Sequence, residues 1–148
     1  MNEKTFRVLE YEKIVEKLMG KAESELGKQM VKNVKPSISI DEIEYLQRET
    51  KEALGLIIKN GNPPLFGIFD ISYQLKRAEI GGILNPADLL KVSDSLRVSR
   101  SLKKYLKQLK EEEMTQYPII QELIYSLRVL KHVEEEINNA IIGENEIS

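Results

Sequence analysis

The chain has 148 residues, room for one domain with a buried core or for two small helical lobes. Lys and Arg total 22 against 24 Asp and Glu, a net charge of -2. That balance excludes a uniformly basic nucleic-acid protein but leaves a local basic stripe open. There is no Cys, so no disulfide framework, thiolate metal site or cysteine nucleophile can be built.

The first dozen residues are of mixed charge and lack the apolar run of a signal peptide. No uncharged apolar stretch approaches the roughly 20 residues needed to span a bilayer. These features lead us to expect a cytoplasmic chain with no membrane partner. Phe6, Val8, Leu9, Ile14, Val15 and Leu18 predict one or two short amphipathic helices ending near Gly20. From Ala22 to Val34, Leu26, Met30 and Val34 recur at steps of four on one helical face. Pro36 stops that helix and biases Lys35 away from helical geometry.

Ser39 followed by Glu42 reads as a capping box, each side chain bonding the other residue's backbone N–H. Ile43, Leu46, Thr50, Leu54 and Ile57 or Ile58 predict the buried stripe of the helix it starts, which ends at Asn60-Gly61. The loop 61–69, with Pro63 and Pro64, follows. It carries Leu65, Phe66, Ile68 and Phe69, which either plug the core or offer a patch to a partner. A short helix is expected from about Asp70 to Glu79, then a break at Gly81-Gly82.

Asn85 with Pro86 is a helix cap followed by proline at the first helical position. Apolar spacing then runs through Leu89, Val92, Leu96, Val98, Leu102, Leu106 and Leu109 to the acidic triplet Glu111 to Glu113. A helix of about 25 residues would be about 37 Å long and would form a spine. Leu89, Val92 and Leu96 lie on a different face from the later apolar residues, so its packing partner must change midway. Pro118 opens the last segment, where Ile120, Leu123, Leu127, Leu130, Ile137 and Ile141 keep near-helical spacing with a break near Lys131 and His132. The expected fold is all-α, a multi-helix bundle around one long spine helix. Its possible sub-lobes are 1–62 and 70–148, joined by the loop 61–69.

No catalytic, cofactor-binding or metal-ligating set emerges from these residues. The nearest approach to a phosphate-binding loop, Gly20 with Gly27-Lys28, has six intervening residues and Gln29 after the lysine. His132 is the only histidine, and Val129 stands where a di-metal bundle needs Glu. A zinc site or histidine-based triad fails on the same count. The triplets Glu111–Glu113 and Glu134–Glu136 are consecutive, so their members point around a helix and are expected on the surface.

One stretch stands apart. Arg97, Arg100, Lys103, Lys104, Lys107 and Lys110 fall between positions 97 and 110 with no acidic residue among them. On a continuous helix all six lie within an arc of about 140°, opposite Val98, Leu102, Tyr105, Leu106 and Leu109. Such a rod could follow nucleic-acid phosphates. Equally, it could be a solvated face balanced by the acidic helices at 42–52 or 134–136.

The order of these strings resembles a family. Lys4-Thr5-Phe6-Arg7-Val8-Leu9-Glu10-Tyr11, Glu25-Leu26-Gly27, Lys35-Pro36 and Glu49-Thr50 before Glu52-Ala53-Leu54 are similar to the amino-terminal segment of bacterial MutS endonucleases of the second type. Gly61-Asn62-Pro63-Pro64 and Arg77-Ala78-Glu79-Ile80-Gly81-Gly82-Ile83-Leu84 are the most specific strings, and Glu134-Glu135-Glu136-Ile137 and Glu146-Ile147 continue the likeness. Departures fall at Leu65-Phe66, where the family tends toward Phe-Gly, and at Phe69, where it tends to be polar.

The resemblance implies the start of the core and lever region of a longer, DNA-binding, ATP-dependent clamp. It implies an ATPase domain using ATP and Mg and an Smr-type nuclease domain, both outside this segment. It also implies a homodimer that suppresses homologous recombination, with some members splitting collided ribosomes. The partners so implied are the remainder of the chain, a second copy, DNA and the ribosome. The alternative is a stand-alone helical adaptor whose groove binds a partner helix or peptide.

Overall fold

The computed structural model describes the backbone of residues 2–143 and 146–147, with side chains up to Ile141. Three short helices come first: α1 (Glu3–Val8), α2 (Tyr11–Met19) and α3 (Glu25–Lys32). Asn2 and Ser24 cap α1 and α3 through side-chain oxygens that accept from Thr5 N and Gly27 N, both at 2.9 Å. The three pack on one another. Phe6 stacks on Tyr11 at 4.8 Å between ring centroids, and the Tyr11 hydroxyl donates to the Val34 carbonyl. None of the three buries a residue fully.

Helix α4 (Ile40–Asn60) starts at Ser39 as expected, but only half of the capping box forms. Ser39 Oγ accepts from Glu42 N at 3.4 Å, whereas the Glu42 carboxylate takes the Ser37 hydroxyl at 2.7 Å. Gly61, at φ +79°, ends the helix with its N–H on Ile57 O. The face that α4 buries is not the expected one. Leu46, Leu54 and Ile58 are exposed, while Glu52 and Leu56 are buried, with Glu49, Ala53 and Asn60 beside them on the same face. The buried arc is turned by about 100°, one residue step, from the apolar stripe. The cause is that Glu52 and Asn60 carry polar anchors to distant backbone, which apolar periodicity does not register.

Helix α5 (Ser72–Glu79) begins two residues later than expected, because the Asp70 carboxylate accepts the Ser72 N–H at 3.0 Å and its hydroxyl at 2.6 Å. Helix α6 (Pro86–Leu106) opens on Asn85, whose side chain accepts from Asp88 N at 2.8 Å. It stops at 21 residues rather than running to Lys110. Gln108 N and Leu109 N bond three residues back, to Tyr105 O and Leu106 O, Lys110 becomes extended (ψ 153°), and α7 (Glu111–Met114) starts there. The Glu113 carboxylate fixes the break by accepting the Lys110 N–H at 3.0 Å.

Helix α8 (Pro118–Tyr125) and helix α9 (Lys131–Ala140) divide the last segment just before Lys131. The helix expected to continue through Ile141 ends at Ala140. Ile141 is extended (φ -116°, ψ 118°), and β1 (Ile141–Gly143) pairs antiparallel with β2 (Glu146–Ile147), Ile141 opposite Ile147. Two β-branched isoleucines followed by glycine favour that strand over a last helical turn. This two-stranded ladder leaves the fold all-α, with nine helices among the described residues.

The core joins Leu56 of α4 to Val98, Leu102, Tyr105 and Leu106 of α6, then Leu109, Tyr117 and Ile124. Leu65 and Ile68 of the 61–69 loop pack against it, so elements on both sides of that loop share one cluster. All five residues expected opposite the basic residues of α6 are buried. The packing partner of α6 also changes along its length. Gln74 of α5 donates to Asp88 near its start at 2.9 Å, while α8 and α9 pack farther along.

Candidate nucleic-acid interface

The six basic residues do not act alike. Arg100 points at α9, where its Nε and Nη2 donate to the two carboxylate oxygens of Glu134 at 3.2 and 2.8 Å. The Glu134 side chain is only 8% exposed, and a carboxylate so placed needs a cation. The Arg100 hydrogen bonds hold its carboxyl below the ordinary value of 4.5. A carboxyl lowered on folding adds stability above its unfolded value and loses it as the pH falls through the lower, folded one. Arg100 is therefore chiefly a strut between α6 and α9, and Glu134 is not the surface residue that its triplet predicts.

Arg97 is also engaged. Its Nη2 donates to the Phe66 carbonyl at 2.9 Å, and its Nε lies 3.6 Å from the Asp94 carboxylate. Lys110 sits beyond the helix break at the start of α7, so the single arc of six becomes five residues on α6 and its end plus one displaced. Lys103 is half-buried, while Lys104 and Lys107 are exposed. None of these three lysines forms an ion pair among the described residues. Part of their presence has a local reason, because cations in the last helical turn oppose the partial negative charge of the free carbonyls.

Lys104 lines a shallow groove where the 61–69 loop crosses α6. Asn62 and Pro64 from the loop face Ser101 and Lys104 of α6 and Gln108 of the turn after it, with no acidic side chain in the lining. Asn60 Nδ2 donates to Tyr105 O at 2.8 Å, and the Tyr105 hydroxyl donates to Gly61 O at 2.5 Å, which ties the loop's first residue to α6. Burial raises the Tyr105 pKa above the ordinary 10.0, which keeps that hydroxyl a donor.

Other chemistry finds no arrangement here. His132 is exposed. No group of three or more His, Asp or Glu able to hold a metal ion occurs among the described residues. The buried carboxylate absent from the sequence reading is Glu52. Its Oε2 accepts the N–H groups of Ile119 and Ile120 at 2.8 and 3.0 Å, at the start of α8. Pro118 has no N–H, and Tyr117 supplies no side-chain cap, so these are the first donors the helix leaves free. A carboxylate there is also favoured by the helix dipole. The Tyr117-Pro118 start without a capping residue was the one sequence signal that a cap must come from elsewhere.

No family model matches the chain. Curated relatives that align with all of it include proteins named Endonuclease MutS2 from Clostridioides difficile at 47% identity, Alkaliphilus oremlandii at 45% and Acetivibrio thermocellus at 43%. The chain spans only 18–19% of the length of these relatives. From Met1 to Ser148 the chain thus matches the amino-terminal segment of the MutS2 endonucleases, as its strings around Gly61 and Gly81 led us to expect.

Proposed function

We propose that this segment is a helical structural part of a DNA-binding, ATP-dependent clamp, with ATP, Mg and the nuclease centre handled by other parts of the protein. The single observation supporting this is a match over the whole chain to MutS2 endonucleases of which it spans less than a fifth. Its partners on this reading are the remainder of its own chain, a second copy and DNA, with a collided ribosome as a further target. The setting is the cytoplasm; no described helix is long and apolar enough to cross a membrane. The segment's own work is mechanical. Helix α6, held by α5, α8, α9 and the 61–69 loop, moves as one body and passes displacement between neighbouring domains.

Within this reading, Lys104 and Lys107 contact nucleic-acid phosphates, with Lys103 and Lys110 at the margin. The test is Lys104→Glu with Lys107→Glu in the full-length protein, titrated with duplex DNA over a range of salt. Binding should weaken and the salt slope should fall by about two, close to 0.9 for each lost phosphate contact. Unchanged affinity and slope at low salt would remove this face from the function.

The adaptor reading draws on a different observation, the exposed apolar face of α4 at Leu46, Leu54, Ile57 and Ile58. The natural reading frame separates the two. Continuation past Ser148 into a Gly-x-x-x-x-Gly-Lys-Ser/Thr motif favours the clamp, and a stop codon favours the adaptor.

A further inference from the structure

Phe66 is 94% exposed, yet nothing about its backbone is loose. Leu65 and Ile68 on either side are packed against the core, and two prolines precede them. Arg97 holds the Phe66 carbonyl from α6. Gly67 follows at φ +93°, and a Cβ there would lie 2.4 Å from Arg97 Nη2, so only glycine allows the guanidinium so close. The loop spends these constraints on presenting an aromatic ring to solvent, where hydrophobicity alone would tuck it away.

Arg97, which holds the Phe66 carbonyl, anchors that residue beside the face of α6 that also carries Lys104. Arg97 and Lys104 are seven residues apart on α6, hence on the same face and separated by about 10 Å along the axis. At the Phe66 end, Asp94 offsets Arg97. At the other end, Lys104 and Lys107 form no ion pair among the described residues, and the neutral polar groups of Asn62, Ser101 and Gln108 line the groove with Lys104. A partner of this surface should carry negative charge at one place and a flat apolar face near it, about two helical turns along α6. Unpaired nucleotides have both. A base inside a duplex has its faces covered by its neighbours, whereas a single strand offers them to aromatic side chains.

We propose that the 61–67 loop and the adjoining face of α6 form a surface for single-stranded nucleic acid, with the Phe66 ring stacked on a base and Lys104 and Lys107 on phosphates. This rests on the nucleic-acid reading of the basic face and specifies its ligand. The experiment uses the full-length protein and two fluorescein-labelled probes, an oligothymidylate of about twelve nucleotides and a duplex of equal length, with affinity read by anisotropy. Phe66→Ala should weaken oligothymidylate binding by about five- to a hundredfold and leave the duplex unchanged. Phe66→Trp should restore wild-type affinity. Because the side chain is exposed, all variants should unfold at the wild-type temperature.

Unchanged oligothymidylate affinity in Phe66→Ala overturns the inference. Full affinity in Phe66→Leu does the same, since it would mean an apolar contact with no stacking. If Lys104→Glu with Lys107→Glu weakens both probes while Phe66→Ala is silent, only the stacking surface is lost and the basic-face reading stands. If the lysine variant changes neither probe, the basic-face reading fails as well.

Discussion

A buried carboxylate that forms no ion pair among the described residues needs hydrogen-bond donors, and Glu52 takes two from the backbone of α8. Bonds to a charged acceptor are worth about 1.5–3 kcal/mol each way they are measured by mutation. Both bonds end on Oε2, so Glu52→Gln keeps them through its carbonyl oxygen and loses only the charge. We expect it to cost about 1 kcal/mol, and Glu52→Ala, which loses both bonds, about 2–3 kcal/mol in urea unfolding of the chain. A loss below about 0.5 kcal/mol would mean that α8 starts at Pro118 without this cap. Charged residues were the least legible part of the sequence. Glu134 read as surface and Glu52 was not singled out, because hydropathy records their charge and not the partners 34 and 67 positions away that justify burial.

Helices α4 and α6 are equally long, yet only one of them had a legible buried face. On α6 the basic residues from Arg97 to Lys104 mark the side away from the core cluster, so Val98, Leu102, Tyr105 and Leu106 could only face into it, and they do. Helix α4 carries apolar residues around much of its circumference, and spacing alone favoured the wrong side. The two assignments of its buried face predict opposite mutational outcomes. Leu56→Ala, at a residue 3% exposed, should cost about 2–5 kcal/mol. Leu54→Ser and Ile58→Ser should stay within about 0.5 kcal/mol, because both side chains already meet water. Chemical denaturation of the three variants decides between the faces, and a reversed order would restore the apolar stripe as the core side. The helix break after Leu106 was hidden for a related reason. Leu109 continues the apolar rhythm and is buried, but it reaches the core from a turn rather than from a further coil of helix.

At the scale of the molecule, the sequence made the all-α class plain, through caps, glycine stops and prolines at helix starts, but not the distribution of burial among the helices. That distribution is uneven and has a dynamic consequence. Helices α1 to α3 are six to nine residues long and bury no residue fully, and helices so short are marginal in water without packing. Helix α6 holds Val98 and Leu106 at 0% exposure and is tied to α4 by Asn60 and to α9 by Arg100 and Ser93. Opening α6 therefore requires most of the core to come apart, whereas α1 to α3 can open while Leu56, Val98 and Leu106 stay together. Native-state hydrogen exchange on the 148-residue chain should reflect this. Amides from Val98 to Leu106 should exchange slowest, with the free energy of global unfolding, and those between Glu3 and Lys32 several kcal/mol faster. Denaturant should speed the α6 amides steeply and the α1–α3 amides hardly at all, because local opening exposes little surface. Equal protection in both regions, with equal denaturant slopes, would mean that the first three helices are part of the same cooperative unit as the core.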